Sequence, residues 1–506
     1  MNCAPMLKLL LGAGGRGFVT KWTVGAGVSV TLPLVQSRAE GALSYNCTVN
    51  WGDNTPIQTI TTYNSPNATH TYTSAGTYNV EIRGTCGGWS FNNAGSKLAI
   101  VAVVYWGDAG AFNGFAYLKS AFYGCTNLTS LGTGVILPSG TGILSDGFSY
   151  MCNGCSALSV IPTDLFKYNT AAQRFAYAFY GCTSLTTIPT DLFRYNTAIT
   201  TSGFYATFQG CTSLTTIPTD LFRYNTSGTT QMFRSAFDGC SALSAIPTDL
   251  FRYNTAVDDN SFTMTFHNCT SLTTIPTDLF RYNTSADGFI QTFQGCTSLT
   301  TIPTDLFRYN LLATTFYAVF QGCSALTSAP GDLFRYNTLA TGFTYAMNGC
   351  LKLQIVANLF FEPGEETTRF LNVVVDFTAC FSRTSFSGVQ GTAPDLWTCN
   401  FGETITLSTA PATDWSPGDT VTGQTSAATA IVVSKVSSLV YKIKQHIGTF
   451  TLGEIVGVTG VPAKLAVQDG THPTFSGTPT STTCFGGAGN SLTSLTNYAS
   501  IPTGWH

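Results

Sequence analysis

Ten cysteines mark off the middle of the chain at steps of 27 to 30 residues: Cys125, Cys155, Cys182, Cys211, Cys240, Cys269, Cys296, Cys323, Cys350 and Cys380. Around each lies one pattern, F-x-x-x-F-x-G-C-[TS]-x-L-T-x-I-P-T-D-L-F-R-Y-N-T, with one copy over 204–226 and another over 289–310. A period of this length predicts stacked coils, because a unit of that size has an apolar face that only its neighbours can cover. Each position has a local reason. Leu214-Thr215-Thr216-Ile217 alternates apolar and polar and predicts a short strand. Pro218 ends it, having no N–H to give to a ladder. Thr219-Asp220 reads as the N-cap of one helical turn through Leu221-Phe222-Arg223-Tyr224, and Asn225 suits the turn beyond. Phe204 and Phe208, four residues apart, predict one face of a second short helix.

The chain holds 16 cysteines. A secreted protein would pair them as disulfides. Their place in the repeat, at a corner behind the phenylalanine pair, reads instead as buried free thiols acting as small hydrophobes. Cys152 and Cys155 have the spacing of a redox or metal site. However, Cys155 belongs to the ladder, and Cys152 stands where other copies carry Phe179, Phe208 or Phe237. Met347 fills the same slot before Cys350. The pattern continues in degraded form at Asn358-Leu359-Phe360, from Phe377 to Cys380, and at Pro394-Asp395-Leu396-Trp397, as terminal units do.

The flanks differ. Trp51-Gly52-Asp53, His70-Thr71-Tyr72 and Gly76-Thr77-Tyr78-Asn79-Val80 lie among short alternating strands with turn signals, which predicts a β-sandwich. Trp415 to Asp419, then strand-like runs at 430–433, 439–443 and 449–456, predict a small all-β module. After it, Cys484, Ser491 to Leu495 and Ile501-Pro502-Thr503 return to the vocabulary of the repeat, so the module is expected to be inserted into the last coil. The expected division is a lead segment 1–16, a sandwich 17–104, a coil region 105–401, an inserted module 402–479 and a terminal coil or cap 480–506.

The repeat resembles the BspA-type leucine-rich repeat, over 118–400 and 484–506. The Trp51-Gly52-Asp53 region resembles the PKD-type immunoglobulin-like domain, with Asn54 where that family usually has glycine. These resemblances imply a fold that is mainly β with short helices: a leucine-rich-repeat solenoid flanked by an immunoglobulin-like β-sandwich and a small inserted β-module. BspA-type proteins occur as bacterial surface adhesins. Chains with a W-G-D sandwich in front of such repeats also resemble virion proteins of tailed bacteriophages, and Gly418 to Thr425 resembles a module of phage structural proteins. The implied function is therefore a non-enzymatic structural or binding protein of a phage virion, a tail fibre or receptor-binding component acting in host attachment. The alternatives are a bacterial cell-surface adhesin, a capsid decoration protein or, further off, a polysaccharide-degrading tailspike. The implied partners are other virion proteins and a host surface glycan or protein receptor, with trimers frequent among the resembling fibres, although no heptad pattern here supports a coiled coil.

Composition narrows the field. Charged residues make up 10% of the chain and the net charge is −3, which disfavours nucleic acid as a partner. No run is long enough to span a membrane. Leu9-Leu10-Leu11 is a poor signal peptide, since Gly12 to Gly17 interrupts it; assembly in a reducing cytoplasm and location in a virion fit that reading, with the bacterial surface as the alternative. The five histidines, at 70, 267, 446, 472 and 506, have no metal-ligand spacing, and neither a catalytic constellation nor a cofactor motif stands out. Asp191, Asp220, Asp249, Asp278 and Asp305 recur identically and read as caps rather than the paired acids of a glycosidase, while the off-ladder acids Asp258, Asp259 and Asp287 carry no distinguishing pattern. The candidate binding rows are Arg194, Arg223, Arg252, Arg281 and Arg308 with Tyr195, Tyr224, Tyr253, Tyr282 and Tyr309. Arginine and tyrosine are favoured at binding surfaces, but each arginine also follows an aspartate by three residues and can form a solvated ion pair with it.

Overall fold

The computed structural model describes residues 15–39, 41–137, 146–365, 368–371, 375–382, 393–394, 396, 404–447, 455–458, 465–467, 484, 495 and 500–501. The chain divides into two compact units, Met1–Ser285 and Ala286–His506. The fold is mainly β and turn. A 3-10 turn lies at Pro66–Ala68, and among the described residues no helix is long and apolar enough to cross a membrane.

The first unit opens on a five-stranded antiparallel sheet. Its strands are β1 (Phe18–Val24), β5 (Tyr45–Asn50), β6 (Gln58–Ile60), β8 (Gly76–Cys86) and β9 (Ile100–Tyr105), in the order β6-β5-β8-β1-β9. Two small ribbons accompany it: β2 (Val28–Thr31) with β7 (Thr69–Tyr72), and β3 (Ser37–Arg38) with β4 (Gly41–Ala42). Alternate residues of β1 (Phe18, Thr20, Trp22 and Val24) are buried, the period of two expected of a strand with one covered face. The Trp51-Gly52-Asp53 corner is packed by its own residues. Trp51 stacks on His70 at 4.9 Å, His70 Nε2 lies 2.7 Å from Asp53 Oδ2, and the Tyr72 hydroxyl donates to Trp51 O at 2.9 Å. Burial opposes ionisation of Asp53, but the bonds from Thr55 and His70 outweigh it and hold the carboxyl below its ordinary value. Asn54 has φ 66°, a left-handed backbone that asparagine tolerates, so it can stand where the resembling family has glycine.

The sheet runs directly into the coils. Ala102 of β9 bridges Ser130 in parallel, Tyr105 bridges Thr133, and Val103 N–H donates to Ser130 O at 2.9 Å. Phe18, Trp89, Trp106, Phe112 and Phe115 interlock across residues 104 and 105, with ring centroids 5.0 to 6.5 Å apart.

From there each coil repeats the last. Phe204, Ala206, Phe208 and Gly210 give their N–H groups to Met232, Arg234, Ala236 and Asp238 O of the next coil. The intervening Tyr205, Thr207, Gln209 and Cys211 give theirs to the carbonyl three residues back. Left-handed residues recur every fourth position, at Ser202, Ala206 and Gly210. This corrects the expectation of short helices. A helix spends every interior N–H inside itself, whereas here every second one is needed by the neighbouring coil, so the segment is a chain of interlocked turns. The Asp220 turn is built the same way: Leu221, Arg223 and Asn225 N–H reach Pro218, Asp220 and Phe222 O. The expected strand at Leu214-Thr215-Thr216-Ile217 also shrinks, to contacts such as Thr215 with Thr186 and, in other coils, to single parallel bridges.

Three rows of phenylalanine fill the first unit: Phe166, Phe193, Phe222, Phe251 and Phe280; Phe175, Phe204, Phe233 and Phe262; Phe179, Phe208, Phe237 and Phe266. Rings within a row lie 5.6 to 6.4 Å apart. Beside them run two ladders. The Cys211, Cys240 and Cys269 thiols donate to Phe179, Phe208 and Phe237 O at 3.2, 3.2 and 3.3 Å. Asn225 Nδ2 donates to Phe193 O (3.1 Å) and Asn196 O (2.8 Å), and Asn254 makes the equivalent pair to Phe222 and Asn225 O.

The second unit uses the same coil, with stacked rows Phe289–Phe316–Phe343–Phe377 and Phe307–Phe334–Phe360. Arg369 closes its asparagine ladder, taking Phe334 O (3.2 Å) and Asn337 O (2.9 Å), the acceptors another asparagine would use. A six-stranded antiparallel sheet follows, of β10 (Thr404–Thr406), β11 (Thr420–Gly423), β12 (Thr429–Lys435), β13 (Val440–Ile447), β14 (Ile455–Val458) and β15 (Leu465–Val467) in the order β10-β13-β12-β11-β14-β15. It has its own core around Trp415, Val421, Val432, Tyr441 and Val456. On either side of it in sequence, Phe381 N–H donates to Cys484 O at 2.8 Å. The lead segment 1–14, Asp395, Trp397, His472, His506 and most of 480–506 lie outside the described residues.

Candidate functional site

Two flanks of the coils carry regular polar side chains. The first is the row expected from the sequence. Arg223 lies 3.4 Å from Asp220 and sits over its own Tyr224 at 5.7 Å and over Tyr253 of the next coil at 4.9 Å. Arg194 does the same with Asp191 (3.5 Å), Tyr195 and Tyr224, and Arg252 with Asp249 (3.3 Å), Tyr253 and Tyr282. Arg281 pairs with Asp278 at 3.3 Å over Tyr282. In the second unit Arg308 pairs with Asp305 at 3.0 Å and lies over Tyr336 at 4.7 Å, with Tyr309 beside it. The residues are brought together, but as a surface row in which each guanidinium already has an anion and an aromatic ring from its own chain.

The second flank, in the first unit, was not anticipated. Four tyrosines from successive coils, Tyr123, Tyr150, Tyr177 and Tyr205, line a concave cleft of 560 Å³ together with Tyr180, Asn153, Gln209, Arg234, Ser235 and Met264. That volume is in the range of sites for small organic ligands. A second hollow of 320 Å³ shares Tyr150, Tyr177 and Tyr205 with it and adds Lys119, Asp146 and Arg174. The coil backbone puts these rings in register: Tyr177 N–H donates to Tyr205 O, and Tyr150 N–H to Ala176 O. Tyr150 and Tyr177 stack at 4.7 Å and 8°, while Tyr123 and Tyr205 tilt away at the two ends, 6.4 and 5.0 Å from their neighbours. Burial and a hydrogen bond to Tyr205 push the Tyr177 phenol up, so it remains a neutral donor. Asp146 is shared between Lys119 (3.3 Å) and Arg174 (3.1 Å). Arg234 differs from the arginines of the first flank. It lies over Tyr205 at 5.8 Å, and its Nε is sealed from solvent with no hydrogen-bond partner among the described residues. Next to the cleft, Asp238 receives Gln209 Nε2 at 2.6 Å and lies 2.8 Å from His267 Nδ1.

No period search could find this cleft. Tyr150 and Tyr177 stand five residues before their cysteine, Tyr205 stands six before, and Tyr123 two before. In the second unit the corresponding flank carries a tyrosine pair, Tyr317 and Tyr345 edge to face at 6.0 Å, beside amides: Gln294 Nε2 donates to Gln321 Oε1 at 2.7 Å, and Gln321 Nε2 to Asn348 Oδ1 at 3.2 Å. Among the described residues no group of three or more His, Cys, Asp or Glu could hold a metal ion.

No protein-family model matches the chain, and no curated protein does. Among solved structures, a leucine-rich cell surface protein from Faecalibacterium prausnitzii A2-165 aligns over 54% of this chain and 76% of its own, at 19% identity and a TM-score of 0.23. A likeness at that score assigns neither fold nor function.

Proposed function

We propose that the chain is a non-enzymatic binding and structural protein, built on coils of the leucine-rich-repeat solenoid type and carried on a phage particle as a tail fibre or receptor-binding component. The PKD-like sandwich and the inserted β-module belong to this reading as its two flanking parts. The observation that carries it is the thiol ladder. Fourteen described cysteines are buried and free, and the thiols of Cys155, Cys182, Cys211, Cys240, Cys269, Cys323 and Cys350 bond backbone carbonyls of the preceding coil. So many thiols at near-equal steps would cross-link in wrong pairs if the chain folded under oxidising conditions, so the ladder supports folding in a reducing compartment, where virions assemble. The coils supply a rigid arm, and the tyrosine cleft supplies a concave place for a host surface ligand.

The test is to raise antibodies against the chain and probe purified particles and host envelope fractions. Labelled particles, with 16 alkylatable thiols per chain after denaturation, are expected. A chain found in envelope fractions and missing from particles replaces this reading with a bacterial surface adhesin. Sugar release from host capsule by the purified chain would overturn its non-enzymatic part.

A further inference from the structure

We infer that the tyrosine cleft of the first unit is a subsite for an acidic glycan, with Arg234 receiving a carboxylate of the sugar and the tyrosine edges receiving its hydroxyls. This rests on the binding role proposed above and names its ligand class.

Three features converge on it. Arg234 is the arginine of this flank whose Nε is closed off from water and unbonded among the described residues. With Nε closed off, the part of Arg234 that lines the cleft is left to meet a ligand, and a planar guanidinium is matched by a planar carboxylate. Arg234 is the charged side chain of the cleft lining, while Lys119 and Arg174 share Asp146 in the adjoining hollow and the neighbouring Asp238 is paired with His267 and Gln209. A single cation in an otherwise neutral lining favours an anionic group placed beside it.

The third feature separates sugars from nucleic acid. Single strands bind aromatic rows by laying bases on open ring faces. Here Tyr150 and Tyr177 cover one face of each other and Arg234 lies over Tyr205, so the row offers few open faces and presents edges and phenol oxygens beside them. Asn153, Gln209 and Ser235 stand among them. Such a surface pairs with a ring bearing many hydroxyls, and one guanidinium answers one carboxylate rather than a phosphate on every unit.

The test is binding of the full-length chain to an array of oligosaccharides in which each uronate-bearing glycan is printed beside its carboxyl-reduced, neutral counterpart, with single-stranded oligothymidylate as a further spot. Uronate glycans should bind, and their neutral counterparts about tenfold or more weaker, the worth of one charge-assisted hydrogen bond. Arg234→Ala should lose about the same factor. Tyr177→Phe, which keeps the ring stack, should lose less. The thermal midpoint of Arg234→Ala should match the parent, because Arg234 supports no other described side chain by a hydrogen bond, and that of Tyr177→Phe should fall only by the worth of its half-buried bond to Tyr205. The inference is overturned by an array on which no glycan binds, by binding indifferent to the carboxylate or to Arg234→Ala, or by tighter binding of oligothymidylate. A blank array together with labelled particles removes this inference and leaves the virion reading standing. A positive array with unlabelled particles does the reverse.

Discussion

Asn254 carries two backbone groups that belong to other coils. Its Nδ2 holds Phe222 O at 3.1 Å and Asn225 O at 2.9 Å, in a site closed to water. Asn254→Ala strands Asn225 O, while Phe222 O keeps the Asn225 N–H at 3.2 Å, and a buried acceptor without a partner costs about 1–3 kcal/mol. A loss of about 1–3 kcal/mol in urea unfolding is expected; a loss no larger than that of an exposed Asn→Ala control would contradict the ladder. The cysteines make a second prediction at this scale. Burial pushes the Cys211 thiol up to about 12 from an ordinary 9.0. Cys182, Cys240 and Cys323 are raised for the same reason. A raised thiol keeps its proton in the folded chain and loses it in the unfolded one, so its contribution is whole below pH 9 and is lost as the pH climbs towards 12. Urea midpoints should be level from pH 7 to 8.5 and fall above pH 9, and a thiol reagent should find the described cysteines only after denaturation. A midpoint unchanged up to pH 11 would sink the prediction.

At the scale of the element, the turn ribbon explains what the sequence revealed and what it hid. The phenylalanine rows, the ladder cysteine and the ladder asparagine were legible because every coil writes them at the same offset. The conformation was not. Phe204 and Phe208 are four apart, which fits a helix. A ribbon with a left-handed residue at every fourth position puts the same two side chains on one buried face. Nor was Arg369 legible as the close of the asparagine ladder, since a longer side chain reaches the same carbonyls from a different place in the repeat. The tyrosine cleft was hidden because its rings come from three different offsets. The ribbon itself can be tested at Gly210, where φ is 74° and an added Cβ would meet only ordinary contacts, 3.6 Å from Gly181 Cα. With space available, the cost of Gly210→Ala is that of the left-handed backbone alone, about 1–2 kcal/mol. A neutral or stabilising result would mean that the position is not left-handed.

Across the whole molecule, the repeat makes length a variable independent of stability per coil. Removing residues 241–269, one 29-residue step from Cys240 to Cys269, should give a shorter chain that still unfolds cooperatively, because the Phe, Cys and Asn rows close up in register. Removing only residues 241–255 offsets all three rows and should abolish the cooperative thermal transition seen by circular dichroism. Equal behaviour of the two deletions would count against stacking in register. The join between β9 and the first coil has a different bearing, on the order of events during synthesis. Val103 donates to Ser130 O and the Phe18–Trp106 cluster spans the junction, so the front of the chain, which is synthesised first, is available as a template for the coils that follow. A coil that stacks on this edge meets groups already hydrogen-bonded on their far side, which favours growth away from the front sheet. Coils made without residues 15–105 would begin from an open edge with nothing to stop a second molecule from docking there, so the front sheet acts as both the seed of the stack and the guard against runaway polymerisation.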